Sequence, residues 1–220
     1  MSGVVNADLQ PAADDPAGDD EAEELVRVDG RTARRDRNQL AVLDAALELF
    51  REGNLAPKPE EVANRSGISL RSVYRYFSEP PALLLAAMAR HVELVEPLWY
   101  LPGLGQGSLD ERVERLIAAR IELYEKVGPT ARAARLAAIT NPLIHDQFRR
   151  GRDRLRSQIE AHFAPELQAM PEERHRAVAA AVDVLFQLDG LEYYMVYRAL
   201  SVAQTSAWLK IAVLTQLSGS

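Results

Sequence analysis

The sequence predicts an all-α protein, and three observations carry that prediction. Apolar residues recur at helical spacing along almost the whole chain. No segment sustains period-two alternation, so no sheet is expected. Gly and Pro cluster at a few points, most densely between Pro97 and Gly107, and divide the chain into helices joined by short loops. About nine helices are expected: three in an N-terminal domain and the rest in a larger helical domain behind it.

The chain has 220 residues, enough for one large domain or two small ones, and 47% of them are apolar, so a core forms without cross-links. There is no cysteine, which excludes a disulfide scaffold, a thiolate zinc site and a cysteine nucleophile. The longest uncharged stretch, Pro97 to Leu109, is too short and too rich in Gly and Pro to span a bilayer. The N-terminal region is acidic where a secretory signal is basic and then apolar. A cytoplasmic location with no membrane partner is expected.

Residues 1–28 read as a disordered acidic tail, Asp-, Ala- and Pro-rich, with too few large apolar side chains to offset the entropy of ordering. Eight acids and no Lys or Arg fall in residues 1–24; without them the formal net charge of −6 becomes +2. Between Arg31 and Ser78, nine Lys/Arg stand against six Asp/Glu. The location of positive charge decides what it attracts, so the acidic total does not exclude an anionic partner.

Arg31, Arg34, Arg35 and Arg37 are expected to form a short basic arm. A first helix follows over about Asn38–Glu52, with Asp36 as its cap and Val42, Leu43, Ala46, Leu49 and Phe50 on one face. Gly53 ends it. Pro57 and Pro59 bracket the start of a second helix, Glu60–Arg65, because Pro is tolerated in a first turn. Ser66-Gly67 breaks that helix, and Ser69 caps a third, Leu70–Phe77. A fourth runs from about Pro81 to Glu96. Further helices are expected at 109–127, 130–139 and 142–163, and two long ones at about 172–200 and 203–217.

Two short helices joined by a tight Gly-containing turn, the second lined with polar and basic residues, form a helix-turn-helix. Val62, Ala63, Ile68, Val73 and Phe77 would be buried to fix the crossing. Leu70, Arg71, Ser72 and Arg75 face away and can reach base edges in a major groove. Tyr74 and Tyr76 carry hydroxyls suited to phosphate oxygens, contacts that set register without reading sequence. Helix pairs are common, and this geometry alone is equally compatible with a small three-helix core carrying an incidental charged face.

The residues themselves go further. Val42-Leu43-Asp44-Ala45-Ala46-Leu47-Glu48-Leu49-Phe50, then Gly53, then Val62-Ala63-Asn64-Arg65-Ser66-Gly67-Ile68-Ser69, then Val73-Tyr74-Arg75-Tyr76-Phe77, closely resemble the DNA-binding domain of the tetracycline-repressor (TetR) family. The resemblance runs over about residues 36–88; beyond residue 90 it is one of length and helical architecture only. It implies residues 29–80 as a DNA-binding domain and 81–220 as an effector-binding and dimerisation domain. It also implies Leu70, Arg71, Ser72 and Arg75 at the bases, and Ser69, Tyr74 and Tyr76 at phosphates. Two positions depart from the family pattern. Lys58, flanked by Pro57 and Pro59, stands where a Thr is usual, and Pro80 where a phosphate-binding Lys is usual. Lys58 or the arm residues Arg34, Arg35 and Arg37 are the candidates to replace that contact.

The segment 172–200 is apolar on more than one face, and a helix apolar nearly all round must be covered nearly all round. A second copy of the chain would supply that cover, as in the family's dimers. The interface candidates are Phe186, Gly190, Tyr193, Trp208, Ile211, Ala212 and Thr215, with Gly190 permitting close approach between helices. The resemblance also implies a small-molecule effector. Trp99, Tyr100, Tyr124, Phe148, Phe186 and Tyr193 are candidate walls of its pocket, and Asp189, Glu192 and His145 candidate polar contacts. The expected function is therefore a ligand-responsive transcription regulator, a repressor released from a palindromic operator. The alternative is an all-helical ligand-binding or interaction protein without operator binding.

No enzyme, cofactor or metal site is expected. The four histidines lack metal-ligand spacing, and no Gly-x-Ser-x-Gly elbow occurs. Gly103, Gly105 and Gly107 are spaced like the glycines of a phosphate loop, but no strand precedes them and no P-loop Lys follows. They read as a helix connector.

Overall fold

The computed structural model describes the backbone of residues 16–218 and the side chains of residues 31–218. Among these residues there are ten α-helices and no strand. They are α1 (Pro16–Arg51), α2 (Pro59–Ser66), α3 (Leu70–Tyr76), α4 (Pro80–Leu94), α5 (Leu109–Ala138), α6 (Pro142–His162), α7 (Ala164–Gln168), α8 (Glu172–Phe186), α9 (Leu188–Glu192) and α10 (Val202–Ser218). A 3₁₀ turn, Glu96–Trp99, follows α4, and a π turn, Tyr193–Tyr197, follows α9. No helix among the described residues is long and apolar enough to cross a membrane.

The chain divides into two compact units, residues 1–41 and 42–220. In the first unit, α1 begins at Pro16, well before the expected start near Asn38. Residues 16–28, expected to be disordered, form its first turns; residues 1–15 lie outside the described residues. The expected basic arm is helical as well. Arg34, Arg35 and Arg37 are exposed on α1, and Asp36 lies inside the helix instead of capping it.

The second unit contains two main cores. One joins Val42, Ala46 and Phe50 at the end of α1, Val62 of α2, Val73 and Phe77 around α3, and Leu83 and Ala87 of α4. Ala133 and Ala134 of α5 and Ile144 of α6 complete it, so this core runs well past residue 80. The other is built on Leu116, Ile117 and Ile121 of α5, Phe163, Val182 and Phe186, and Leu209 and Val213 of α10. Helix α5 contributes to both and ties them together.

The 30-residue α5 corrects the expectation of two helices meeting at Gly128-Pro129. Pro129 leaves the Glu125 carbonyl without its helical donor, which costs about 3 kcal/mol in a helix interior. Buried Leu123, Tyr124 and Val127 before it and Ala133 and Ala134 after it hold the helix through. Glu125 and Lys126 are exposed, so water can reach the freed carbonyl.

The expected long helix 172–200 is instead broken. Gln187 adopts an extended conformation (φ −66°, ψ 156°), ending α8 and starting the short α9. Gly190 explains how the chain folds back. A Cβ there would stand 2.5 Å from the Val184 carbonyl oxygen and 2.7 Å from that of Leu185. The close approach that Gly190 permits is therefore within its own chain. The π turn that follows carries a hydrogen bond from Arg198 N to Tyr193 O (2.9 Å). Ser201 and Gln204 then cap α10 reciprocally, with Ser201 N donating to Gln204 Oε1 (2.9 Å) and Gln204 N to Ser201 Oγ (3.2 Å).

The Gly103–Gly107 connector is fastened from outside. Gly105 N donates to His162 Nδ1 (2.9 Å), so the ring proton sits on Nε2, which donates to Arg112 O (2.9 Å). Arg112 also pairs with Glu166. His162 is fully buried, and burial pushes its pKa below the ordinary 6.5; His91 is lowered for the same reason. The unfolded chain therefore takes up these protons at higher pH than the folded one. Stability is full above about pH 6.5 and declines as pH falls below it. Thermal denaturation should give a midpoint that is level from pH 7 to 8 and falls steadily toward pH 5. His162→Gln should flatten part of that slope. A midpoint that holds or rises on acidification would contradict this account.

Candidate nucleic-acid interface and ligand cavity

Helices α2 and α3 meet across a turn made possible by Gly67, whose φ of +68° is left-handed and favours glycine. Helix α2 starts with half of a capping box: Lys58 N donates to Glu61 (2.7 Å), but the Lys side chain has no acceptor to return. That hydrogen bond holds the Glu61 carboxyl below the ordinary range. Arg65 near the end of α2 grips Glu52 with two hydrogen bonds (2.8 and 2.7 Å), tying α2 to the segment just after α1. Ser69 caps α3, accepting from Ser72 N (3.3 Å), and its own hydroxyl donates to Ser72 Oγ (3.1 Å).

Val73 and Phe77 are buried and anchor α3 to the core. Arg71, Tyr74 and Arg75 are exposed, Ser72 is half-buried, and Leu70 and Tyr76 are half-buried against the core. Tyr76 steadies Arg75 twice, accepting a hydrogen bond from Nη2 at 3.2 Å and lying under the guanidinium at 5.1 Å. The outward face of α3 is thus Arg71, Tyr74 and Arg75, with the free proton of the Ser72 hydroxyl beside them. The Ser69 hydroxyl is committed to its cap. Lys58 is exposed at the start of α2, and Pro80 is the first residue of α4.

A partly open cavity of about 200 Å³ lies between α4, α5, α6 and the start of α9. Met88, His91 and Val92 of α4 face Val127, Thr130 and Ala134 of α5, and His91 Nδ1 lies 2.7 Å from Thr130 Oγ1. Trp99 of the 3₁₀ turn, Phe148 and Leu155 of α6, and Gln187 and Leu188 close it. Of the expected wall residues, Trp99 and Phe148 line this cavity. Tyr100 and Tyr193 are exposed, and Tyr124 is buried in the core with its hydroxyl unpartnered among the described residues. Phe186 is 2% exposed and belongs to the core of its own chain, away from both the cavity and any outer face. Asp189 pairs with Arg135 and Arg152, buried Glu192 with Arg135 (2.8 Å), and exposed His145 with Asp146 (3.6 Å). No aromatic marks most of this wall. Its signal in the sequence is the run of arginines on α6 interrupted by Gly151 and Leu155.

On α10, Thr205, Leu209, Val213 and Leu217 point inward at intervals of four residues. Trp208 (47% exposed), Ile211 (67%) and Thr215 point outward, with Ala212 half-buried between the faces. Val184, Tyr193, Val196 and Tyr197 are also exposed. Among the described residues, no group of three or more His, Asp or Glu side chains is placed to hold a metal ion.

No protein-family model and no curated protein matches the sequence. Solved structures do match the fold. One is a protein of Saccharomonospora viridis assigned as a transcriptional regulator and solved in complex with choline. It is 18% identical, with a TM-score of 0.67 over 82% of this chain and 96% of that one. Another is the SCO7518 protein of Streptomyces coelicolor A3(2), also assigned as a transcriptional regulator. It is 19% identical, with a TM-score of 0.58 over 83% of this chain and 99% of that one. At these identities the likeness establishes the fold: this chain has the all-helical architecture of those two proteins.

Proposed function

We propose that the chain is a ligand-responsive, sequence-specific DNA-binding transcription regulator of the TetR type, a cytoplasmic homodimer that leaves a palindromic operator when a small apolar or amphipathic effector binds. Residues 29–80 carry the DNA contacts, and residues 81–220 hold the effector and the dimer interface. Arg71 and Arg75 read bases, with Ser72 and Leu70 beside them; Tyr74, Tyr76, Lys58 and the helical arginines Arg34, Arg35 and Arg37 serve phosphates, while the Ser69 hydroxyl, spent on its cap, holds the start of α3. One observation carries the reading. The anchors of the outward-facing α3, Val73 and Phe77, share a core with Met88 and Ala134, which also line the cavity. A ligand that displaces α4 or α5 therefore acts on the packing that positions α3. A coupling of about 1–3 kcal/mol changes DNA affinity roughly 5–150-fold. The outward apolar face of α10 supports the dimer, because contiguous exposed apolar surface marks an interaction site.

Gel retardation of genomic fragments from the source organism tests this reading. A few fragments should be retained selectively over competitor DNA. Retention without selectivity, or none, would favour a ligand-binding protein that does not act at operators.

A further inference from the structure

The charge around the cavity is one-sided. Arg150, Arg152 and Arg154 line it, and no Asp or Glu does. Arg152 is met by Asp189 and lies over the Phe148 ring at 5.1 Å. Of the two aromatic rings in the wall, Phe148 is therefore already covered by a guanidinium, which leaves only Trp99 to face an ammonium group. Arg150 and Arg154 are different. They are exposed, one helical turn apart on α6, and neither has a carboxylate within ion-pairing distance among the described residues; Arg150 donates only to the Gln147 amide (2.6 Å). The neighbouring arginines of α6 have such partners: Arg149 with Asp153 (3.0 Å) and Arg156 with Glu160 (3.1 Å). Deeper in the wall, Trp99 Nε1 and Arg152 Nε are buried donors with no acceptor among the described residues, against one such acceptor, Gln187 Oε1.

We propose that the effector is a small organic acid. Its apolar body lies among Met88, Val127, Leu155 and Leu188, and its carboxylate is held at the mouth by Arg150 and Arg154. This rests on the ligand-responsive reading above and narrows it. Guanidinium groups favour carboxylates because the planar fork offers paired donors to two oxygens. A cation would meet the unpaired Arg150 and Arg154, with no carboxylate in the cavity wall. The cavity of about 200 Å³ is below the roughly 300–1,000 Å³ of sites for drug-sized ligands, so the acid is small.

Titration calorimetry on the full chain with hexanoate, 1-hexanol and hexyltrimethylammonium separates the possibilities. Hexanoate should bind most tightly, hexanol more weakly, and the ammonium compound least. Arg150→Gln with Arg154→Gln should raise the hexanoate Kd about tenfold, to near that of hexanol, while leaving hexanol unchanged; added salt should weaken hexanoate alone. Gly151→Leu, which fills the cavity without weakening the helix, should abolish binding of all three. Equal binding of acid and alcohol would overturn the charge assignment and leave a ligand-responsive regulator standing, as would preference for the ammonium compound. Binding by none of the three would overturn both.

Discussion

Arg71→Ala is expected to weaken operator binding and to relax base preference at particular positions, whereas Tyr74→Phe is expected to weaken all sequences alike. Arg71 is exposed in the first turn of α3, where a recognition helix sits deepest in the major groove. An arginine fork on a guanine is worth about 1–3 kcal/mol of discrimination, so affinity for the preferred site should fall roughly 5- to 150-fold. Arg75 is held by Tyr76, which restricts the direction of its fork, so Arg75→Ala is expected to have the smaller effect. Pro80→Lys is the constructive counterpart. Restoring a phosphate contact at the start of α4 should tighten binding without changing the preferred sequence, and should steepen the log–log salt dependence by about one unit. Base-by-base binding profiles of the three variants check these outcomes. A profile unchanged by Arg71→Ala would contradict the assignment.

Ile211→Glu is expected to convert a dimer to monomers and to remove most operator affinity. Ile211 is 67% exposed on the outward face of α10, opposite the buried Leu209 and Val213, so a charge there leaves the single chain's core intact. In a dimer packed through that face, the carboxylate would be buried without a partner, which costs about 3–5 kcal/mol. Trp208→Glu should act in the same direction, although Trp208 also lies edge-on to Tyr194 at 6.5 Å and adds a local packing loss. Light scattering at micromolar concentration measures the mass, and circular dichroism checks that helicity is retained. An unchanged mass with full DNA affinity would show that this face is not the interface.

The segment from the end of α1 to α4 was legible in the sequence because its signals are local. Gly53 and Gly67 end helices with left-handed φ, Ser69 caps α3, and the apolar spacing of Val42 to Phe50 fixes which face of α1 is buried. What failed depends on contacts between distant segments. Pro129 reads as a break, but buried neighbours on both sides carry α5 through it. Gly190 reads as a weak point in a long helix, yet its lack of a side chain lets α9 fold against the end of α8. The acidic run before Arg31 reads as a tail, although acids at a helix start are also helix-compatible. The cavity was the least legible feature, since its wall comes from five separate parts of the chain. Choosing aromatics as wall residues found Trp99 and Phe148 but also selected Tyr100 and Tyr193, because residue type does not report which way a side chain points.

The central claim is that the chain reads a two-fold operator through α3, and selection of bound sequences from a random duplex DNA pool tests it most directly. The account predicts enrichment of an approximately palindromic sequence whose half-sites lie about one helical turn (~34–36 Å) apart, or a multiple of it, with guanines at positions whose selection is lost in Arg71→Ala. Recovery of no enriched sequence, or of one without two-fold symmetry, would contradict it.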